Sequence, residues 1–217
     1  MYSTNLNNIK LDEFCKTLKT INLLPSHKIL LPDIDINFSK LKSIGIATLA
    51  DLQKLLKNKK RYSELSKRIN IDTEYLTILN RVVNSYEVKS ISIGKIEIFD
   101  ESEILILKRN NLNSTKEYYD YFVKNQFIDG IDKNKSNYGL QIIDLLRING
   151  VGLEFAKILY EIGIKSVSDF KNTEAEVILQ KFRQFNESKK WTRSNLGLND
   201  IEYCRRFCEK LDVEITF

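Results

Sequence analysis

Apolar positions recur every three to four residues along nearly the whole chain. Leu11, Phe14, Cys15 and Leu18 form one such stripe, and Leu76, Leu79, Val82 and Val83 form another. That spacing gathers side chains on one helix face. Only Pro25 and Pro32 could force a break, so helices are seldom interrupted. One stretch departs from the pattern: in SISIGKIEIF, residues 90–99, Ile91, Ile93, Ile96 and Ile98 fit either a helix or a short strand. The pattern predicts an all-α fold with room for one extended connector.

Three segments share a grammar of helix ends: LKSIGIATLADL from Leu41, LKRNNLNSTKEY from Leu107 and LYEIGIKSVSDF from Leu159. In each, a leucine closes a helix, Gly45, Asn111 or Gly163 follows four residues on, and Ile46, Leu112 or Ile164 comes next. Glycine and asparagine best tolerate the left-handed conformation that ends a helix, and the apolar residue behind them packs back on the last turn. Two residues later stands Thr48, Ser114 or Ser166, followed three positions on by Asp51, Glu117 or Asp169. This is the spacing of a capping box, which closes the exposed amides of a new helix. Each segment reads helix, left-handed stop, short link, helix, and the three are expected to be divergent copies of one small helical module.

Only the third copy carries the stretch LLRINGVGLEFAKIL, residues 145–159, in which Leu145, Ile148, Gly150, Val151, Gly152, Ala156 and Leu159 hold set positions. This stretch resembles the helix-hairpin-helix motif, with Asn149 where many members of that superfamily carry proline. The matching places in the other copies hold Pro32, Asp33 and Ile34, and Ile98, Phe99 and Asp100, so those hairpins lack the glycines. Residues 38–56, FSKLKSIGIATLADLQKLL, look like the units of this type in the RNA polymerase alpha C-terminal domain. The whole arrangement, with LLPSHKILL at 23–31 and EYLTILNRVVNSY at 74–86, is similar to small bacterial proteins grouped as an uncharacterised family, a domain of unknown function. The resemblance implies about three tandem helix-hairpin-helix units, of a non-catalytic kind that binds a DNA backbone without reading base sequence.

A helix that starts just after Gly152 has unpaired amides and the positive end of its dipole there, so an anion is favoured. Side chains at positions 150 and 152 would hold that anion off. Asn149, Gly150, Val151 and Gly152 are therefore candidate nucleic-acid-binding residues, with Val151 anchoring the loop and Lys157, one turn on, in reach of the same or the next phosphate. A second reading stands beside it. Two glycines in a tight hairpin also let two helices pack closely, and such hairpins also contact protein.

The net charge of +5 is not spread evenly. Residues 1–90 hold 15 Lys or Arg against 9 Asp or Glu, while residues 141–217 hold 12 of each. The densest basic run is KLLKNKKRYSELSKR, residues 54–68, which makes Lys59, Lys60 and Arg61 candidate phosphate contacts. A smaller one, KFRQFNESKKWTR, adds Lys189 and Lys190 beside Phe182, Phe185 and Trp191. Those aromatics are read as core, although a basic strip with aromatics also suits a backbone with a stacked base. The lysines read equally as solvated helix faces.

Other chemistry finds little support. There is no run of 18 apolar residues and no charged-then-apolar leader, so neither a membrane span nor export is expected, and the protein is read as cytoplasmic. Cys15, Cys204 and Cys208 are read as buried thiols in a reducing compartment. His27 has no nucleophile beside it in sequence, DESE at 100–103 reads as a helix start, and no metal, nucleotide or nucleophile motif appears. No cofactor, no metal and no enzymatic activity are expected.

The expected organisation is an N-terminal helical region, 1–123, with two degenerate copies, a linker or long loop over 124–141, and a C-terminal unit, 142–217. Its last helix is expected at LNDIEYCRRFC with Asn199 as cap. The expected function is backbone binding of nucleic acid, DNA in the first instance, and the alternative is a protein-protein adaptor on the same scaffold.

Overall fold

The computed structural model describes residues 2–21, 23–125, 127–193, 195–212 and 215. Among them the regular elements are α-helices and short 3-10 turns, joined by two isolated β-bridges, Lys10 to Thr48 and Ser92 to Ser114. The fold is all-α. The 90–99 stretch resolves into a 3-10 turn, Ile93–Ile96, with only the bridge at Ser92 extended.

The chain forms two compact units, Asn5–Glu87 and Met1–Thr4 together with Val88–Phe217. The first contains α1 (Leu11–Thr20), α2 (Ile34–Ser43), α3 (Leu49–Leu56), α4 (Tyr62–Ile69) and α5 (Thr73–Asn84). Its core is the apolar stripes of the sequence turned inward: Leu18, Leu41, Leu52, Leu76 and Val83 are fully buried, and Phe14 meets Phe38 and Tyr86 with ring centroids 5.9 and 5.5 Å away.

The second unit contains α6 (Glu101–Arg109), α7 (Thr115–Phe122), α8 (Lys133–Leu146), α9 (Leu153–Glu161), α10 (Val167–Asn172), α11 (Ala175–Lys189) and α12 (Leu198–Cys208). The expected division at 124–141 therefore meets a different arrangement. Asp132 accepts the Lys135 amide at 2.9 Å and starts α8 at Lys133, inside the expected linker, while the units divide between Glu87 and Val88. Gly139, taken as a loop residue, lies within α8 where a Cβ would stand 2.9 Å from Phe99 and 3.3 Å from the Tyr118 hydroxyl. It is bare because two aromatic rings press on the helix, and helix propensity gives way to that packing.

The three stop-and-start segments make the same local bonds. Gly45, Asn111 and Gly163 all take positive φ, +88°, +61° and +86°. The following amides, of Ile46, Leu112 and Ile164, donate back to Leu41, Leu107 and Leu159 at 3.3, 2.9 and 2.8 Å. Thr48, Ser114 and Ser166 then accept the amides of Asp51, Glu117 and Asp169 at 3.2, 3.4 and 3.0 Å. In return the three carboxylates accept from Thr48, Asn113 and Lys165 at 2.8–2.9 Å. These bonds hold the Asp51 carboxyl below its ordinary range.

One amide distinguishes the third segment. The residue after each cap must find an acceptor outside its own helix. Leu49 donates to the Ile9 carbonyl and Thr115 to the Ile91 carbonyl, each at 2.9 Å. Val167 has no such extended neighbour, and donates to the Asp144 carboxylate of α8 at 2.7 Å. Asp144 also pairs with Arg147, 2.5 Å away, and both are almost fully buried. Burial pushes the Asp144 carboxyl up, while Arg147 and the Val167 amide pull it down. Arg147 further donates to the carbonyls of Tyr2 (3.0 Å) and Asp212 (2.7 Å) and to the Tyr119 hydroxyl, and lies 4.4 Å over the Tyr119 ring.

The last helix has the expected buried side, Ile201, Cys204, Phe207 and Cys208 with Leu211 just beyond. Its cap is Gly197, two residues before the expected Asn199. The Asp200 carboxylate accepts the Gly197 amide at 2.9 Å, so the residue that fixes this start sits inside the first turn.

Candidate functional site

The glycine stretch lies between α8 and α9, which pack on each other. Val151 is buried with Ile148, Ala156 and Leu159, which pins the loop to the core, and its amide donates to the Ile148 carbonyl at 3.0 Å. The two glycines beside it have different causes.

Gly150 is required by the fold. Its φ is +91°, a left-handed backbone, and a Cβ there would stand 2.8 Å from the Cys204 sulfur and 3.4 Å from the Tyr203 ring of α12. Gly152 is not. Its φ of −84° and ψ of 171° are ordinary extended backbone, and a Cβ would meet nothing within 4 Å. It is the N-cap of α9, and no side chain caps that helix.

The second copy carries an acidic cap at this place. Counted back seven residues from the shared leucine, Gly152 corresponds to Asp100, the N-cap of α6. The Asp100 carboxylate accepts the Glu103 amide at 3.0 Å and the Ser102 hydroxyl at 2.7 Å, bonds that hold its carboxyl well below the usual range. In the first copy α2 starts after Asp33, which is left-handed and makes no side-chain cap. An anionic side chain thus sits at the start of α6 where α9 has open space, with Glu154 the one acidic residue in the first turn of α9.

The other candidates are distributed. Asn149 is half-buried beside Gly150. Lys157 lies on α9 but is turned to Glu97, 3.4 Å away, so it is not presented free to a ligand. Lys189 and Lys190 end α11, exposed, with Lys190 left-handed at φ +50°. Lys59, Lys60 and Arg61 form an exposed 3-10 turn in the Asn5–Glu87 unit. The sequence reading missed two features. Trp191 is 45% exposed, not core, and Asp144 with Arg147 form a buried ion pair. The second carried a signal: an acid and a base three residues apart inside the apolar run LQIIDLLRI.

All three cysteines are free and buried. Burial raises each thiol, that of Cys204 to about 12, and Cys208 further. At pH 8 such thiols are held almost wholly protonated. The folded protein should therefore react with a thiol-specific disulfide reagent far more slowly at pH 8 than the urea-unfolded chain, which should release three equivalents at once. A thiol that titrates rapidly in the folded protein would contradict this burial. His27 has its pKa lowered, by burial first and then by Arg81. Among the described residues no group of three His, Cys, Asp or Glu side chains could hold a metal ion, and no helix is long and apolar enough to cross a membrane.

No curated protein and no solved structure matches the chain. Residues 130–210, which take in α8, the glycine hairpin and α9 to α12, match the model of one family, described as Domain of unknown function (DUF4332).

Proposed function

We propose that this protein is a non-enzymatic, cytoplasmic binder of nucleic acid, DNA in the first instance, that grips the phosphate backbone with little regard to base sequence. Its three copies are read as helix-hairpin-helix units, two of them degenerate. The observation that carries the reading is Gly152. Its backbone suits any residue and its missing side chain faces open space, so no packing or backbone strain among the described residues asks for glycine there. A ligand that must approach the first amides of α9 does. Free, buried thiols fit the reducing compartment.

On this reading Gly152→Val stays folded, with the modest loss of melting temperature that valine at an N-cap brings, and weakens binding to a DNA duplex, measured by anisotropy across a salt series. Lys59, Lys60 and Arg61, changed together to Gln, should flatten the plot of log affinity against log salt by up to about three slope units of roughly 0.9 each. Gly152→Val should leave that slope nearly intact, because it removes amide contacts and no cation. Parent-like affinity in a folded Gly152→Val variant would refute the loop's role.

One observation favours the alternative, a protein-protein adaptor. Leu24, Ile29, Leu31 and Ile36 are 38–56% exposed in one unit, and Ile29 and Ile36 line an open cleft of about 580 Å³. If duplex and single-strand binding both vanish at physiological salt while a protein partner is retained there, that reading takes precedence.

A further inference from the structure

Trp191 is the only tryptophan in the chain, and it lies on the surface. Tryptophan is highly buried on average, so an indole 45% exposed asks for a cause. The loop that carries it is tied down by hydrogen bonds. Lys190 ends α11 in a left-handed turn and donates its amide to the Asn186 carbonyl at 2.8 Å. The Asn186 side chain then clasps the far side of the loop, its amide donating to the Thr192 carbonyl and its oxygen accepting the Thr192 amide, each at 2.9 Å. The indole is thereby held 5.6 Å from the half-buried Phe185 ring, at 43° to it. Phe182, one turn earlier, is buried against Phe155. The aromatic row thus climbs from core to surface and ends on Trp191.

The stretch of sequence that carries it is positive. Lys181, Arg183, Lys189, Lys190 and Arg193 stand between positions 181 and 193 against Glu187 alone. Lys189, Lys190 and Arg193 are exposed and enter no ion pair among the described residues, whereas Lys19, Lys42, Lys116 and Lys135 each pair with a carboxylate. An exposed π surface with exposed cations next to it in sequence matches a strand whose bases are free to leave their own stack and whose phosphates run alongside. A duplex offers the phosphates only, since its bases are stacked on one another.

We infer that Trp191 is a stacking platform for one unpaired base of a single-stranded polynucleotide, with Lys189, Lys190 and Arg193 on the flanking phosphates. The inference rests on the nucleic-acid reading above and narrows it to a single-stranded substrate at this surface.

Because Trp191 is the sole indole, its emission reports on the site directly. The full chain is titrated with labelled oligothymidylate, oligouridylate and a duplex of equal length, following both anisotropy and tryptophan fluorescence. Single strands should quench Trp191 and shield it from acrylamide, and the duplex should bind with the emission unchanged. A preference between the two single strands decides between DNA and RNA. Trp191→Ala should lose about tenfold in single-strand affinity, within the range for removing one base–aromatic stack, and little on the duplex, while Trp191→Phe should stay within about threefold of the parent. Single-strand binding with unaltered emission, or with parent-like affinity in Trp191→Ala, overturns the platform and leaves backbone binding standing. Absence of binding to any of the three at low salt overturns both. Should Trp191→Ala fail to fold, the quenching of the parent protein decides alone.

Discussion

Asp144→Ala should lower the free energy of unfolding by about 3–5 kcal/mol, the cost of leaving a buried charge without its partner. The alanine strands Arg147, 1% exposed, and removes the acceptor of the Val167 amide that the other two copies supply from backbone. An unsatisfied buried amide alone costs about 1–3 kcal/mol. The measurement is a urea titration read by circular dichroism, with Asp120→Ala as the control. Asp120 pairs with Lys116 on the surface of α7, where such a pair is worth about 0.3–0.5 kcal/mol. A loss in Asp144→Ala no larger than in the control would mean that Arg147 finds water, and that the buried network does not hold this unit together.

The second large effect separates the two glycines of the hairpin. Gly150→Ala should cost roughly 2–4 kcal/mol, combining left-handed strain with overpacking against Cys204 and Tyr203. Gly152→Ala should cost less, about 0.5–1 kcal/mol, because glycine is the better N-cap but nothing packs against the new methyl. Thermal melts of the two variants side by side make the comparison. In a double-mutant cycle, Cys204→Ala should recover part of the Gly150→Ala loss, because the nearest obstacle to the new methyl is the Cys204 sulfur, 2.8 Å away. Equal losses at 150 and 152 would remove the distinction on which the proposed ligand site stands.

Helix ends were the most legible part of the fold, because their signals are local. Gly45, Asn111 and Gly163 announce left-handed stops and Thr48, Ser114 and Ser166 announce starts within a few residues, and the structure makes each of those bonds. What the sequence hid depends on distant partners. Gly139 reads as a breaker until Phe99 and Tyr118 are seen pressing on it. Asp200 fixes the start of α12 from within the helix, so a side-chain cap reads at Asn199 while the true cap is Gly197. At the candidate site, GVG was visible as a pair of glycines but not as two different ones. Gly150 is explained by α12, some fifty residues further along the chain, whereas no packing among the described residues requires glycine at Gly152. Trp191 was sorted with Phe182 and Phe185 because aromatic type says nothing of which ring comes last in the row.

The bond from Arg147 to the Tyr2 carbonyl spans 145 residues, and it sets an order of events during synthesis. The Asn5–Glu87 unit has all its residues outside the ribosome while α8 is still unmade, and domains fold as they emerge. Tyr2, buried in the finished protein against Tyr119 and hydrogen-bonded to Thr115, is made before either of them. Until the second unit is complete, Tyr2 therefore stands without the ring and hydrogen-bond partners that bury it, open to unwanted apolar contacts. The late helix α8, through Arg147, supplies the last of them.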